Sequence, residues 1–164
     1  MQTEKVIDYI VNWLKDYATK AGVKGFVIGV SGGVDSGVVS TLCAMTGLKV
    51  LALEMPIRQQ KDQASRALEH IDFLKNKFPN VEGFTVDLNE PFEALYKTFD
   101  VKDDEFPAEK LAFANTRSRL RMLTLYYYGQ INGLLVCGTG NKVEDFGIGF
   151  YTKYGDGGVD VSPI

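Results

Sequence analysis

Four short apolar segments alternate with stretches of helical periodicity, and this alternation restricts the fold more than any other feature. Gly25–Val30 (GFVIGV) and Lys49–Met55 (KVLALEM) are brief and apolar at successive positions, as strands buried on both faces require. Gly83–Leu88 reads as a third strand and Gly133–Gly140 (GLLVCGTG) as a fourth. Helical spacing covers Glu4–Ala18, where Val6, Ile7, Ile10, Val11, Leu14, Tyr17 and Ala18 form one stripe. It also covers Asp62–Lys77, with Ala64, Ala67, Leu68, Ile71 and Leu74 expected inward. Val38–Met45 and Ala108–Tyr128 are two further helices, and Asn89 is expected to cap a short one with Pro91 in its first turn. Asp100–Pro107 reads as an acidic loop. Strands alternating with helices predict an α/β fold: a doubly wound parallel sheet with right-handed crossovers and helices on both faces. Three βα units followed by a fourth strand predict the spatial order 3-2-1-4.

Composition agrees with one globular domain spanning residues 1–164. Surface scaling gives about 8,100 Å² exposed after folding. With 45% hydrophobic and 24% charged residues, a disordered tail and a collagen-like repeat are excluded. The apolar runs fall short of the ~20 residues a transmembrane helix needs, so no membrane partner is expected. A net charge of −3 argues against nucleic acid held by the overall field. His70 is the single histidine, which argues against a Ser-His-Asp triad or a His-rich zinc site, and it reads as a surface helix residue. Cys43 and Cys137 lie far apart in apolar segments and read as reduced core residues. The N-terminus (MQTEKVIDYIVNWL) carries acids and has no uninterrupted apolar stretch, so it does not resemble a secretory signal, and the cytoplasm is expected. The chain reaches Ile164 through VDVSPI without a closing helix, so the domain is expected to be incomplete at its C-terminal side.

Ser31-Gly32-Gly33-Val34-Asp35-Ser36 sits directly after one buried strand and directly before a helix. Its glycines let the backbone wrap an anion, the helix start supplies free N–H groups and a positive dipole end, and Ser31 and Ser36 add hydroxyls. Together these form a phosphate cradle. The pattern is neither GxxxxGK[ST] nor GxGxxG. Instead it places the anionic Asp35 beside the expected phosphate, which is favourable only with a divalent cation between them. Mg²⁺ takes one or two carboxylates plus phosphate oxygens, so Asp35 reads as a metal ligand. In the expected strand order, SGGVDS and GTGNKVE leave adjacent strand ends, where open α/β sheets bind ligands.

SGGVDS resembles the phosphate loop of the N-type ATP pyrophosphatases, enzymes with an adenine nucleotide alpha hydrolase-like fold that cleave ATP between its α and β phosphates. That motif alone fits several members, including guanylate, asparagine-forming and tRNA-thiolating enzymes. Gly138-Thr139-Gly140-Asn141-Lys142, Glu144 and the run from Phe150 to Asp160 (FYTKYGDGGVD) resemble the NAD synthetase family more specifically. So does the arginine helix from Asn115 to Met122. The resemblance implies that Gly29, Val30, Ser31, Gly32, Gly33, Val34, Asp35, Ser36 and Thr139 bind ATP. It implies that Arg119, Lys153 and Asp160 bind deamido-NAD, and that Asp35 and Glu144 hold Mg²⁺. One departure affects the second metal ligand. The family has eight steps from its glutamate to its lysine, whereas Glu144 to Lys153 is nine. Counting forward from Thr139 selects Glu144; counting back from Lys153 selects Asp145; Glu144 is preferred. A second departure is Glu54-Met55, where family members often carry an arginine near ATP.

The activity implied is ATP-dependent amidation of deamido-NAD with free ammonia, through an adenylated intermediate, releasing AMP and pyrophosphate. The resemblance also implies a homodimer. The competing readings are another ATP pyrophosphatase, such as a tRNA-modifying one, or a non-catalytic nucleotide-binding module. Taken without the resemblance, Arg117, Arg119 and Arg121 read as a solvated helix face that does not serve one ligand together. Lys61 and Arg66 read as solvent-facing, and Tyr126, Tyr127 and Tyr128 as packing residues.

Overall fold

A computed structural model describes residues 2–59, 61–99 and 106–164. The chain runs α1 (Thr3–Ala21), β1 (Gly25–Gly29), α2 (Val34–Met45), β2 (Lys49–Glu54), α3 (Lys61–Lys77), β3 (Val81–Thr85), α4 (Asn89–Thr98), α5 (Pro107–Asn132), β4 (Leu134–Cys137) and a π-helical turn at Val143–Ile148. The four strands form a parallel sheet in the order β3-β2-β1-β4, as the βα alternation predicts. Val27 sits opposite Leu51 on one side and Val136 on the other.

Pleating divides the strand residues between two cores. Phe26, Ile28, Val50, Ala52 and Cys137 point to the face covered by α1, α2 and α3, where they meet Leu14, Val39, Cys43, Ile71 and Leu74. Val27, Leu51, Leu53 and Val136 point to the opposite face, against Phe92 of α4 and Phe113, Met122 and Leu125 of α5. This explains why β1 and β2 read as continuous apolar runs: each side of the sheet has its own helical layer. Gly83 is a close-approach position. A Cβ there would lie 2.6 Å from Ile71 Cγ2 and 2.9 Å from the Ala52 carbonyl, so α3 reaches β3 only over a glycine.

Several boundaries differ from the sequence expectation. α2 starts at Val34, four residues before the apolar stripe, because its first turn faces the loop and not the core. β3 lies two residues earlier than Gly83–Leu88; Val81 and Glu82 pair with Val50 and Leu51, although Val86 and Leu88 still donate backbone bonds to Glu54 and Pro56. β4 is shorter than Gly133–Gly140, and α5 is longer than Ala108–Tyr128. Asn89 is the first residue of α4 and not its cap; the Asp87 carboxylate accepts the Asn89 N–H at 2.8 Å. Leu68, Val6 and Tyr17 are exposed, since each lies at the margin of its helix stripe. Cys43 and Cys137 are buried free thiols with their sulfurs 3.5 Å apart. Of the expected acidic loop, residues 100–105 lie outside the described residues, as does the side chain of Lys61. Among the described residues, no helix is long and apolar enough to cross a membrane.

Candidate active site

The SGGVDS segment turns β1 into α2. Gly33 is the N-cap of α2, in extended conformation, and Gly32 has φ 81°, a value that disfavours any side chain. The two serines shape this turn. Ser36 Oγ donates to the Gly33 carbonyl at 2.9 Å and accepts the Ser31 N–H at 3.2 Å; Ser31 Oγ accepts the Gly33 N–H at 3.3 Å. The hydroxyls are thus spent partly on holding the loop. Because Gly37 N–H makes the first helical bond, to Gly33, the N–H groups of the first turn remain available to an anion.

A cleft of about 720 Å³ opens beside this turn. Gly29, Val30, Ser31, Gly32 and Gly33 line it from β1, and Thr139 lines it from the end of β4. Val34 and Ser36 instead line a second cleft, of about 540 Å³, on the α3 side of the loop. Arg117 and Arg121 also line the first cleft, one helical turn apart, so the expectation that they form only a solvated face is corrected. Arg121 is held by a 2.9 Å bond from Nε to the Met55 carbonyl. Burial, and secondarily the charge of Arg117, lower its pKa. Neither arginine is picked out by sequence alone, because helical spacing shows that they share a face but not what that face meets. Glu54 is buried and accepts a 2.6 Å bond from Thr85 Oγ1, so its carboxylate is directed to β3.

At the other wall, the segment after β4 folds back along it. Gly138 N–H donates to Val161 O, and Val161 bridges Cys137 in parallel register. Asp160 supports this return: its Oδ2 accepts the Val136 N–H at 2.8 Å and its Oδ1 accepts the Tyr126 hydroxyl at 3.0 Å. Partial burial, and then the Asp160 carboxylate, push the Tyr126 phenol up to about 12.

Asn141 links the segment after β4 to the first turn of α2, and neither it nor Asp35 lines either cleft. Its Nδ2 donates to Asp35 Oδ2 at 3.4 Å, and its Oδ1 accepts the N–H groups of Val143 and Glu144 at 3.1 and 3.0 Å. Glu144 is the second residue of the π-helical turn, and its side chain is exposed. Asp145 is half-buried and packs against Gly140, with its pKa raised by burial and then by Asp156 and Glu144. The first half of the nine-residue step from Glu144 to Lys153 lies on this π-helix, which ends at Ile148. Arg119 and Lys153 are brought together without lining the cleft themselves, Arg119 Nε donating to Lys153 O at 3.1 Å.

Among the described residues, no three His, Cys, Asp or Glu side chains are gathered into a metal cage. Mg²⁺ needs none, since it binds through one or two carboxylates, with water and phosphate oxygens completing its shell. Asp35, at a phosphate-cradling turn and linked through Asn141 to the segment that carries Glu144 and Asp145, fits that donor set.

A parallel α/β sheet with a glycine-serine turn at the end of a central strand places the chain in the open-sheet α/β class, whose ligands sit at such strand ends. The NAD synthase family model matches residues 6–164, and the chain belongs to that family. It is 39% identical to the NH(3)-dependent NAD(+) synthetase of Mesoplasma florum, with 100% of this chain aligned to 64% of that one. It is also 39% identical to the enzyme of the same name from Saccharolobus solfataricus, over 98% of this chain and 55% of the relative. Among solved structures, NMN synthetase from Francisella tularensis superposes with a TM-score of 0.86 at 35% identity, covering 100% of this chain and 65% of that one. The NH3-dependent NAD synthetase from Campylobacter jejuni, in complex with nitrate, gives 0.86 at 30% identity, covering 100% and 67%. The chain therefore spans 64% of the Mesoplasma relative it matches.

Proposed function

We propose that this chain binds Mg²⁺-ATP and deamido-NAD for ammonia-dependent NAD synthesis. The nicotinate carboxylate attacks the α-phosphorus of ATP, the α–β bridging bond breaks, and pyrophosphate leaves. Ammonia then adds to the adenylated carboxyl carbon, AMP departs, and the amide remains after loss of a proton. The single observation that carries the reading is the contact between Asn141, in GTGNKVE, and Asp35, in SGGVDS, in a chain of the NAD synthase family.

In this reading Gly29 to Ser36 and Thr139 hold the nucleotide, the α2 first-turn N–H groups taking its phosphates. Asp35 and Glu144, with Asp145 as the alternative, hold Mg²⁺, which offsets charge on the departing pyrophosphate. Arg119, Lys153 and Asp160 serve deamido-NAD. Catalysis rests on positioning and charge neutralisation and needs no side-chain nucleophile. We place the protein in the cytoplasm as a homodimer. Support for the dimer comes from exposed apolar side chains on α5, where Leu123, Tyr127 and Ile131 form a stripe at helical spacing.

A second reading, amidation of the mononucleotide in place of the dinucleotide, is favoured by the likeness to the Francisella NMN synthetase. Pyrophosphate release with ATP, Mg²⁺ and ammonium decides between them. Release with deamido-NAD supports the first reading, release with nicotinate mononucleotide only supports the second, and release with tRNA only overturns both.

A further inference from the structure

The phosphate loop contains no lysine or arginine, so a fixed cation for the triphosphate must come from elsewhere. α2 and α3 both leave the carboxyl edge of the same parallel sheet, from neighbouring strands, and so run side by side in the same direction. Their register is set by His70. Its Nε2 lies 2.9 Å from Ser40 Oγ, and a Cβ on Gly37 would meet its imidazole at 3.7 Å, so the two helices approach closely there. Arg66 is one turn before His70 on the same face of α3. One turn before Gly37 and Ser40 on α2 are Gly33 and Ser36, the residues that close the phosphate turn. Arg66 accordingly lines both clefts flanking that turn, and His70 lines the second. Its expected solvent-facing position is thus an exposed position at the rim of both clefts.

We propose that Arg66 is a phosphate-binding cation of this site, alongside Arg117 and Arg121 in the same cleft, and that it faces the β- and γ-phosphates of ATP and the pyrophosphate that leaves. The proposal rests on the nucleotide reading of the cleft. A guanidinium suits the task because its planar fork can bind two phosphate oxygens at once, whereas a lysine offers a point charge. Arg66 also supplies from a neighbouring helix the charge that GxxxxGK[ST] loops carry within themselves.

The test is calorimetry on the full chain and on Arg66→Gln and Arg66→Lys, with ATP, inorganic pyrophosphate and AMP as separate titrants in the presence of Mg²⁺. Losing a charge-assisted bond to phosphate should weaken ATP and pyrophosphate binding by Arg66→Gln roughly ten- to a hundredfold while leaving AMP within about twofold. Arg66→Lys should fall between the two. Equal ATP and pyrophosphate affinities for Arg66→Gln and the unchanged chain overturn the proposal and leave the nucleotide reading standing. An equal loss for AMP also overturns it, since that marks a structural role. If the unchanged chain binds none of the three, the nucleotide reading falls and the proposal with it.

Discussion

Asn141 Nδ2 lies 3.4 Å from Asp35 Oδ2, joining two residues 106 positions apart across the ends of adjacent strands β1 and β4. One amide thereby fixes the phosphate turn against the segment that carries Glu144, whose N–H the same side chain accepts. In Asp35→Asn the neutral amide keeps the turn's shape but is a poor metal ligand. Mg²⁺-dependent ATP binding is expected to fall by roughly ten- to a hundredfold, with metal-free binding little changed. Calorimetry with and without Mg²⁺ checks this, and an unaltered magnesium dependence removes Asp35 from the metal site.

Glu144 and Asp145 make opposite predictions because the π-helix sends them in different directions. Glu144 is exposed at the second position of the turn, while Asp145 packs against Gly140 with its pKa raised by burial and by Asp156. A carboxylate held in such surroundings opposes folding at neutral pH. Asp145→Asn should therefore be at least as stable as the unchanged chain, and Glu144→Gln should reduce pyrophosphate release more than Asp145→Asn does. The reverse order of activities would assign the metal to Asp145.

The sheet was legible because β1 and β2 are buried on both sides, and burial on both sides writes every residue of a strand as apolar. Strand order then followed from βα alternation alone. β3 starts two residues before the sequence expectation because it is an edge strand with Glu82, Phe84 and Thr85 exposed, so its pattern is weak. The glycine-serine turn could be read because its chemistry is local. Arg66, Arg117 and Arg121 could not, since a charged helix face looks the same in sequence whether it meets water or a cleft. His70, expected at the surface, is half-buried for the same reason: its partner Ser40 lies 30 residues away, and only the packing of α3 on α2 joins them.

His70 also makes stability depend on pH. Burial lowers its pKa below the ordinary 6.5, so the folded chain favours the neutral ring. Between those two pKa values the unfolded chain binds more protons, and stability rises with pH. Its contribution is complete above about pH 6.5 and is lost as pH falls through the folded value. Urea unfolding from pH 7.5 to 5.5 should show a steeper loss for the unchanged chain than for His70→Gln, whose amide does not titrate. Parallel pH profiles would show that the ring is not held neutral by the fold.

Asp160 presents the sharpest conflict between a substrate role and a structural one. The family resemblance assigns it to deamido-NAD, yet its two oxygens accept the Val136 N–H and the Tyr126 hydroxyl. In Asp160→Asn the amide oxygen can keep the Val136 N–H and the Tyr126 hydroxyl can turn to accept from the amide nitrogen, but the charged acceptor of both bonds is lost, at about 1.5–3 kcal/mol. For a chain of this size the melting temperature should drop by roughly 3–12 °C. The Tyr126 phenol supplies a second readout. It is pushed up to about 12, first by burial and then by Asp160, so removing the carboxylate should return it only part of the way towards 10.0. Absorbance of ionised tyrosine against pH measures that shift without any substrate. A lower melting temperature together with an earlier tyrosine titration makes Asp160 the clasp between β4 and the returning chain, acting on deamido-NAD through position. If both are unchanged while KM for deamido-NAD rises, Asp160 instead touches the substrate directly.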